Sequence, residues 1–196
     1  RERQDRTATS HAERCETVMK RVLPDDSVRD RILRGECPDE FKYDHWKSLD
    51  TYIIGLGPKW VSPNEALGDK KGERTQVTTA TTCFYGEQGG QVSDRGWIET
   101  ETGRIDVDRV VRRRTEVAGR SWDMILHEGL VACGVIQSGQ VCKMTVDEVR
   151  RVPTMQNHTS THILNWALRE VLEIGGGGKV DQKGSLVDPE KTRFDF

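Results

Sequence analysis

The chain has 196 residues, enough to bury one large core or two small ones, so one and a half domains are expected rather than two complete ones. Its 30 Lys and Arg nearly balance 32 Asp and Glu, which excludes a global basic field and leaves any polyanion to a local patch. Cys15, Cys37, Cys83, Cys133 and Cys142 form an odd set without a Cys-x-x-Cys pair, and neither a signal peptide nor a spanning run is evident; free thiols in a reducing compartment are expected rather than disulfides.

Residues 1 to 22 are dense in charge and helix formers, with Ala12, Cys15, Val18, Met19 and Val22 on a thin apolar stripe. They predict a solvated helix that docks or links, and they read like the interior of a longer protein. Residues 23 to 43 are broken by Pro24, Gly35 and Pro38 and read as a connector with a short helix at 28 to 33. Short β-prone runs then follow at 51–56, 75–84, 96–100, 105–111, 122–126, 130–135 and 141–146, separated by glycine turns. Strands this short predict a closed or half-closed β-barrel, because a small sheet hides its edges by curling. Arg112, Arg113 and Arg114 read as a solvated hairpin tip, with a phosphate contact as the alternative.

After Pro153 the pattern changes. Ile163, Leu164, Ala167, Leu168, Val171 and Leu172 lie on one stripe at helical spacing and predict an amphipathic helix. His158 and His162 are four apart on a neighbouring face, the helical spacing with which two imidazoles hold one divalent metal, most often zinc. A solvated face or a hydrogen-bonding cluster with Thr159 and Thr161 are the alternatives. No Glu follows His158, which argues against a metalloprotease of the His-Glu-x-x-His kind. Residues 175–178 are four glycines, a flexible connector, and 184–187 and 192–196 are short β-prone pieces around a turn at Asp188, Pro189 and Glu190.

A second stretch runs from Thr82 through Phe84, Tyr85, Glu87, Gly89, Gly90 and Gln91 to Asp94. Paired glycines before Gln91 free the backbone for positive φ and close approach to a ligand, and the amide offers a donor and an acceptor. A glycine hairpin with a surface Gln is the alternative.

Together the motifs resemble the editing region of the alanyl-tRNA synthetase family. The family's Phe-Tyr-x-Glu-x-Gly-Gly-Gln is matched by Phe84, Tyr85, Glu87, Gly89, Gly90 and Gln91. Its Asn-His-x-x-Thr-His is matched by Asn157, His158, Thr161 and His162. Its Gln-Lys-Gly-Ser-Leu-Val and Arg-Phe-Asp-Phe are matched by residues 182–187, which include Lys183, and by residues 193–196, which begin with Arg193. The wording around Cys83 is similar to eukaryotic members. The resemblance implies an α+β fold. Residues 1–40 would be the end of a helical tRNA-recognition region and a connector, 41–152 a small antiparallel β-barrel, and 153–196 the first part of a zinc-dependent editing core.

It also implies an ester hydrolase that removes serine or glycine from mischarged tRNA for alanine, within an ATP-binding ligase of the cytoplasm or, alternatively, the mitochondrial matrix. Zn²⁺ would sit on His158 and His162 together with a downstream Cys and His spaced Cys-x-x-x-His. That pair does not occur in this sequence, so the ligand set is incomplete and a domain truncated inside the editing core is the simplest explanation. Gln91, Thr82 and Thr161 are the expected catalytic residues, and Gly89, Gly90, Glu87, Lys183 and Arg193 the expected substrate contacts. Gln91 is expected at the scissile end. Thr82, nine residues earlier, is expected to recognise the serine hydroxyl, since an unpaired buried polar group costs about 1–3 kcal/mol. The threonyl-type editing module, a free-standing deacylase and a non-catalytic tRNA-binding module are the alternatives.

Overall fold

A computed structural model describes residues 39, 41–44, 46–56, 66–67, 71–117, 120–173, 175–176 and 179–196. The helix expected over 1–22, the short helix at 28–33 and half of the glycine run lie outside the described residues. The elements are α1 (Phe41–Asp44), β1 (Ser48–Leu56), β2 (Ala66–Leu67), β3 (Arg74–Thr79), β4 (Gly96–Glu99), β5 (Gly103–Val117), β6 (Arg120–Gly134), β7 (Ile136–Gln137) and β8 (Val141–Val146). There follow α2 (Glu148–Leu168), a π-helical turn (Arg169–Glu173), β9 (Gly184–Val187) and β10 (Thr192–Asp195).

Six strands close an antiparallel barrel in the order β1-β3-β6-β5-β4-β8, with β1 pairing β8 to complete the ring. Two small sheets, β2 with β7 and β9 with β10, complete the strands. The fold is α+β, as the motifs imply. Closure follows from alternation: in β8, Cys142, Met144 and Val146 point inward while Val141, Lys143 and Thr145 do not. Ile53, Val77, Ile98, Ile105, Val110 and Ile125 from the other walls meet them in one core. Bulges between Ile53 and Gly55 and between Val107 and Arg109 bend the longer strands around it.

Three strand expectations need correcting. The run 75–84 leaves the ladder at Thr79, because Thr79 Oγ1 donates to the Thr81 carbonyl (2.9 Å) and Thr81 N–H donates to Thr51 Oγ1 (3.1 Å), so side chains take over the backbone partners. Beyond that point Cys83 and Phe84 turn into the core. The runs 122–126 and 130–135 are one strand, β6. Gly129 is no turn: its backbone lies so close to β5 that a Cβ there would sit 2.0 Å from the Asp106 carbonyl oxygen. Arg112, Arg113 and Arg114 are not a hairpin tip but lie along β5, opposite Ile125, Met124 and Asp123 of β6.

The histidine helix starts before Pro153, not after it. Asp147 caps α2 by accepting from Val149 N–H (3.0 Å), and Pro153 sits in the second turn. The predicted apolar stripe faces outward in part: Ile163, Leu164 and Val171 are 59%, 42% and 69% exposed. Among the described residues no helix is long and apolar enough to cross a membrane. Cys83, Cys133 and Cys142 are free thiols.

Candidate functional site

Residues 80–95 leave the barrel wall and carry at their middle the tight turn Gln88-Gly89-Gly90-Gln91. Gln91 N–H donates to the Gln88 carbonyl (3.0 Å), and Gly89 and Gly90 both take positive φ, +59° and +83°. Two consecutive positive values are the signature of the hairpin turns that need glycine. Gly90 has a second reason to be glycine, since a Cβ would lie 2.4 Å from the Ser185 carbonyl oxygen. The turn therefore docks flat on β9. Val187 N–H donates to the Gly90 carbonyl (2.8 Å) and Val92 N–H to the Val187 carbonyl (3.0 Å), so the loop continues the small sheet.

The helix α2 is brought to this turn by two anchors. Arg151, 2% exposed, donates through Nη1 to Asp94 Oδ2 (2.5 Å) and through Nη2 to the Lys42 carbonyl (2.6 Å). Asp94 Oδ2 also accepts from Tyr85 N–H (2.7 Å), and the guanidinium lies 5.5 Å from the Tyr85 ring. Burial pushes the Asp94 carboxyl up from its ordinary range, against the pull of Arg151. One turn and a half further on, Asn157 Nδ2 donates to the Asp188 carbonyl (2.8 Å), fixing the helix to the β9–β10 hairpin.

Next to the second anchor, Gln91 Oε1 and His158 Nδ1 are in hydrogen-bond contact, across 67 positions of sequence. Gln91 is 3% exposed. The His158 and His162 rings lie 5.0 Å apart between centroids, tilted by 36°. Burial, and then the neighbouring His162, hold the His158 pKa below the usual imidazole value, so the ring is neutral near pH 7 and a lone pair is available. A groove of about 480 Å³ runs beside the turn, lined by Glu87, Gly90, Gln91, Arg109, Arg112 and Ser185 among others.

The expected site residues divide. Gln91, His158 and His162 come together, and Glu87 and Gly90 line the groove, with Glu87 paired to Arg109 (3.1 Å). Gly89 belongs to the turn itself. Thr161 is buried and donates to the Asn157 carbonyl (2.9 Å), holding the helix rather than facing the groove. Lys183 donates its backbone N–H to Asp195 (2.8 Å), and the exposed Arg193 pairs with Asp195 (2.7 Å); neither lines the groove. Thr82 is 1% exposed, accepts from Phe84 N–H (3.1 Å) and contacts His127 Nε2 (2.8 Å). Its contacts serve the barrel interior, and it does not line the groove.

The sequence reading passed over Asp94 and Arg151. Only Asp94 carried a signal, as part of the quoted loop motif; Arg151 lay on the wrong side of Pro153 to be read as helical. Among the described residues no three His, Cys, Asp or Glu side chains come together to hold a metal. His158 and His162 thus fit zinc as two nitrogen donors of a set that needs at least one more.

A family model described as tRNA synthetases class II (A) matches residues 1–150, which include the glycine turn but stop short of the histidine pair. The alanine--tRNA ligase of Janthinobacterium sp. (strain Marseille) is 45% identical over 154 residues, 79% of this chain and 16% of that protein. The alanine--tRNA ligase of Paraburkholderia phymatum is 39% identical over 158 residues, 81% and 16%. That of Rhizobium meliloti (strain 1021) is 45% identical over 125 residues, 64% and 13%. The chain spans about 16% of the length of the first two relatives.

Proposed function

The chain belongs to the class II (A) tRNA synthetase family, and from that premise we propose that its Gln91–His158–His162 site is an editing centre. It hydrolyses the ester of serine or glycine from mischarged tRNA for alanine, inside a protein that ligates alanine to that tRNA. The observation that carries this reading is the meeting of the glycine turn with the histidine helix. Two motifs far apart in sequence are held together by a buried ion pair and a shared sheet, beside a groove that Gln91 lines and the two histidines do not. An aminoacyl ester is already activated, so the site mainly has to orient a water and the carbonyl.

In this reading His158 and His162 would hold Zn²⁺ together with at least one further ligand, and the metal would supply Lewis-acid polarisation of the water or of the ester. The neutral state of His158 keeps a nitrogen available for that purpose at physiological pH. Arg109 and Arg112 on the groove wall suit the phosphates of an incoming RNA end, and Glu87 holds Arg109 in place. The same reading assigns the protein to the cytoplasm, with the mitochondrial matrix as the alternative.

The test is the rate of serine loss from Ser-tRNA for alanine in added zinc, with Ala-tRNA as control. This chain is run beside a version extended through the next Cys-x-x-x-His. Selective loss of serine with the longer chain, or with both, is the expected result. Binding of tRNA with no ester loss by either would overturn the reading in favour of a non-catalytic module.

A further inference from the structure

We propose that Gln91 is a positioning residue that holds His158 as the Nδ1–H tautomer and thereby keeps Nε2 as the ring's lone pair. A neutral imidazole carries one N–H, on either nitrogen. The group facing His158 Nδ1 is the amide oxygen of Gln91, which has lone pairs and no proton, so the shared proton belongs to Nδ1. Imidazole side chains in water favour the opposite tautomer, with the proton on Nε2. The contact therefore reverses an intrinsic preference.

Both partners are held where this contact needs them. Gln91 is almost wholly buried, and its N–H and C=O are both engaged with Gln88 across the glycine turn. The turn is pinned because Gly90 lies against the Ser185 backbone, closer than any side chain allows. His158 follows directly on Asn157, whose amide is tied to the Asp188 carbonyl. The paired glycines thus aim a side chain at a histidine of the helix. Gln91, first expected at the scissile end, acts on the reaction through His158. Outer partners of this kind fix the tautomer and orientation of a metal-binding histidine.

The inference rests on the proposed function only for what the Nε2 lone pair is used for, and its test needs no RNA. Long-range ¹H–¹⁵N NMR of the histidine rings at pH 8.5 distinguishes a protonated from an unprotonated nitrogen in the whole chain. His158 is expected to show a protonated Nδ1 and a bare Nε2. In Gln91→Leu the pattern reverts to a protonated Nε2, whereas in Gln91→Glu, whose carboxylate also accepts from Nδ1–H, it is retained. Titration with Zn²⁺ alone, followed on the same ring signals, is expected to be weaker by about tenfold or more for Gln91→Leu and not for Gln91→Glu. A protonated Nε2 in the unaltered chain, or a ring pattern indifferent to Gln91→Leu, overturns the proposal. A confirmed tautomer in a chain whose extended form hydrolyses no ester would instead leave the positioning role standing and remove the editing reading.

Discussion

Inside the barrel, Thr82 and His127 form a hydrogen-bond chain in which every proton has a place. His127 Nδ1 faces the Val77 carbonyl (3.0 Å), so that nitrogen carries the proton, and Nε2 accepts from the Thr82 hydroxyl (2.8 Å). The hydroxyl oxygen accepts in turn from Phe84 N–H (3.1 Å). Phe84 also meets the His127 ring edge-on at 5.4 Å, so the chain fixes the residue that leads into the glycine loop. Thr82→Val keeps the volume but leaves a buried N–H and a buried ring nitrogen without partners, at about 1–3 kcal/mol for each such group. The expected outcome is a lower urea midpoint with the ratio of serine to alanine ester hydrolysis unchanged in the extended chain. A collapse of that ratio with stability intact would make Thr82 the serine sensor after all. Residue types alone pointed to a threonine near the glycine turn; the partner that occupies its hydroxyl lies 45 positions away, beyond any local pattern.

At the scale of elements, the glycine loop and α2 are coupled through the Asp94–Arg151 pair, both ends of which are almost fully buried. Removing one partner of a buried pair leaves an uncompensated charge, which costs about 3–5 kcal/mol, whereas removing both charges costs far less. Arg151→Met is therefore expected to destabilise the chain strongly and to loosen the approach of His158 to Gln91. Adding Asp94→Asn, which keeps an oxygen for Tyr85 N–H, should recover much of the loss. A urea-unfolding double-mutant cycle checks this, and additivity of the two changes would show that the pair does not couple the elements. Helical periodicity predicted α2 from its apolar stripe, but that stripe begins well after Arg151. The earlier turns are helical because Asp147 caps them and because Arg151 finds a buried partner, and Pro153 is tolerated there. The expected break at Pro153 failed because one lost backbone bond weighs less than that tertiary anchor.

For the whole molecule, a neutral histidine in the core makes stability depend on pH. Burial lowers the His127 pKa from 6.5 to about 4. Below pH 6.5 the unfolded chain takes up a proton that the folded chain refuses, so the contribution is complete above 6.5 and is lost as pH falls towards 4. The shift corresponds to about 3 kcal/mol over that window. The Asp94 carboxyl, pushed up by burial, works in the opposite sense at the acidic end. Urea unfolding of the unaltered chain and of His127→Gln between pH 4.5 and 7.5 should give a steeper fall for the unaltered chain; equal slopes would place a proton on His127 in the folded state. The sequence by itself determined the β-barrel, the helix with its two histidines, the glycine turn and the closing hairpin, because each is written in a local signal: alternation, helical spacing, paired glycines, or an Asp-Pro turn. Only the tertiary structure decided which of these meet. That Gln91 faces His158, that Thr82 turns inward to His127, and that Arg151 binds Asp94 depend on strand register and barrel closure, which bring together side chains 45 to 67 positions apart. Contacts at such separations follow from packing the whole chain at once, and no local pattern of residues encodes them.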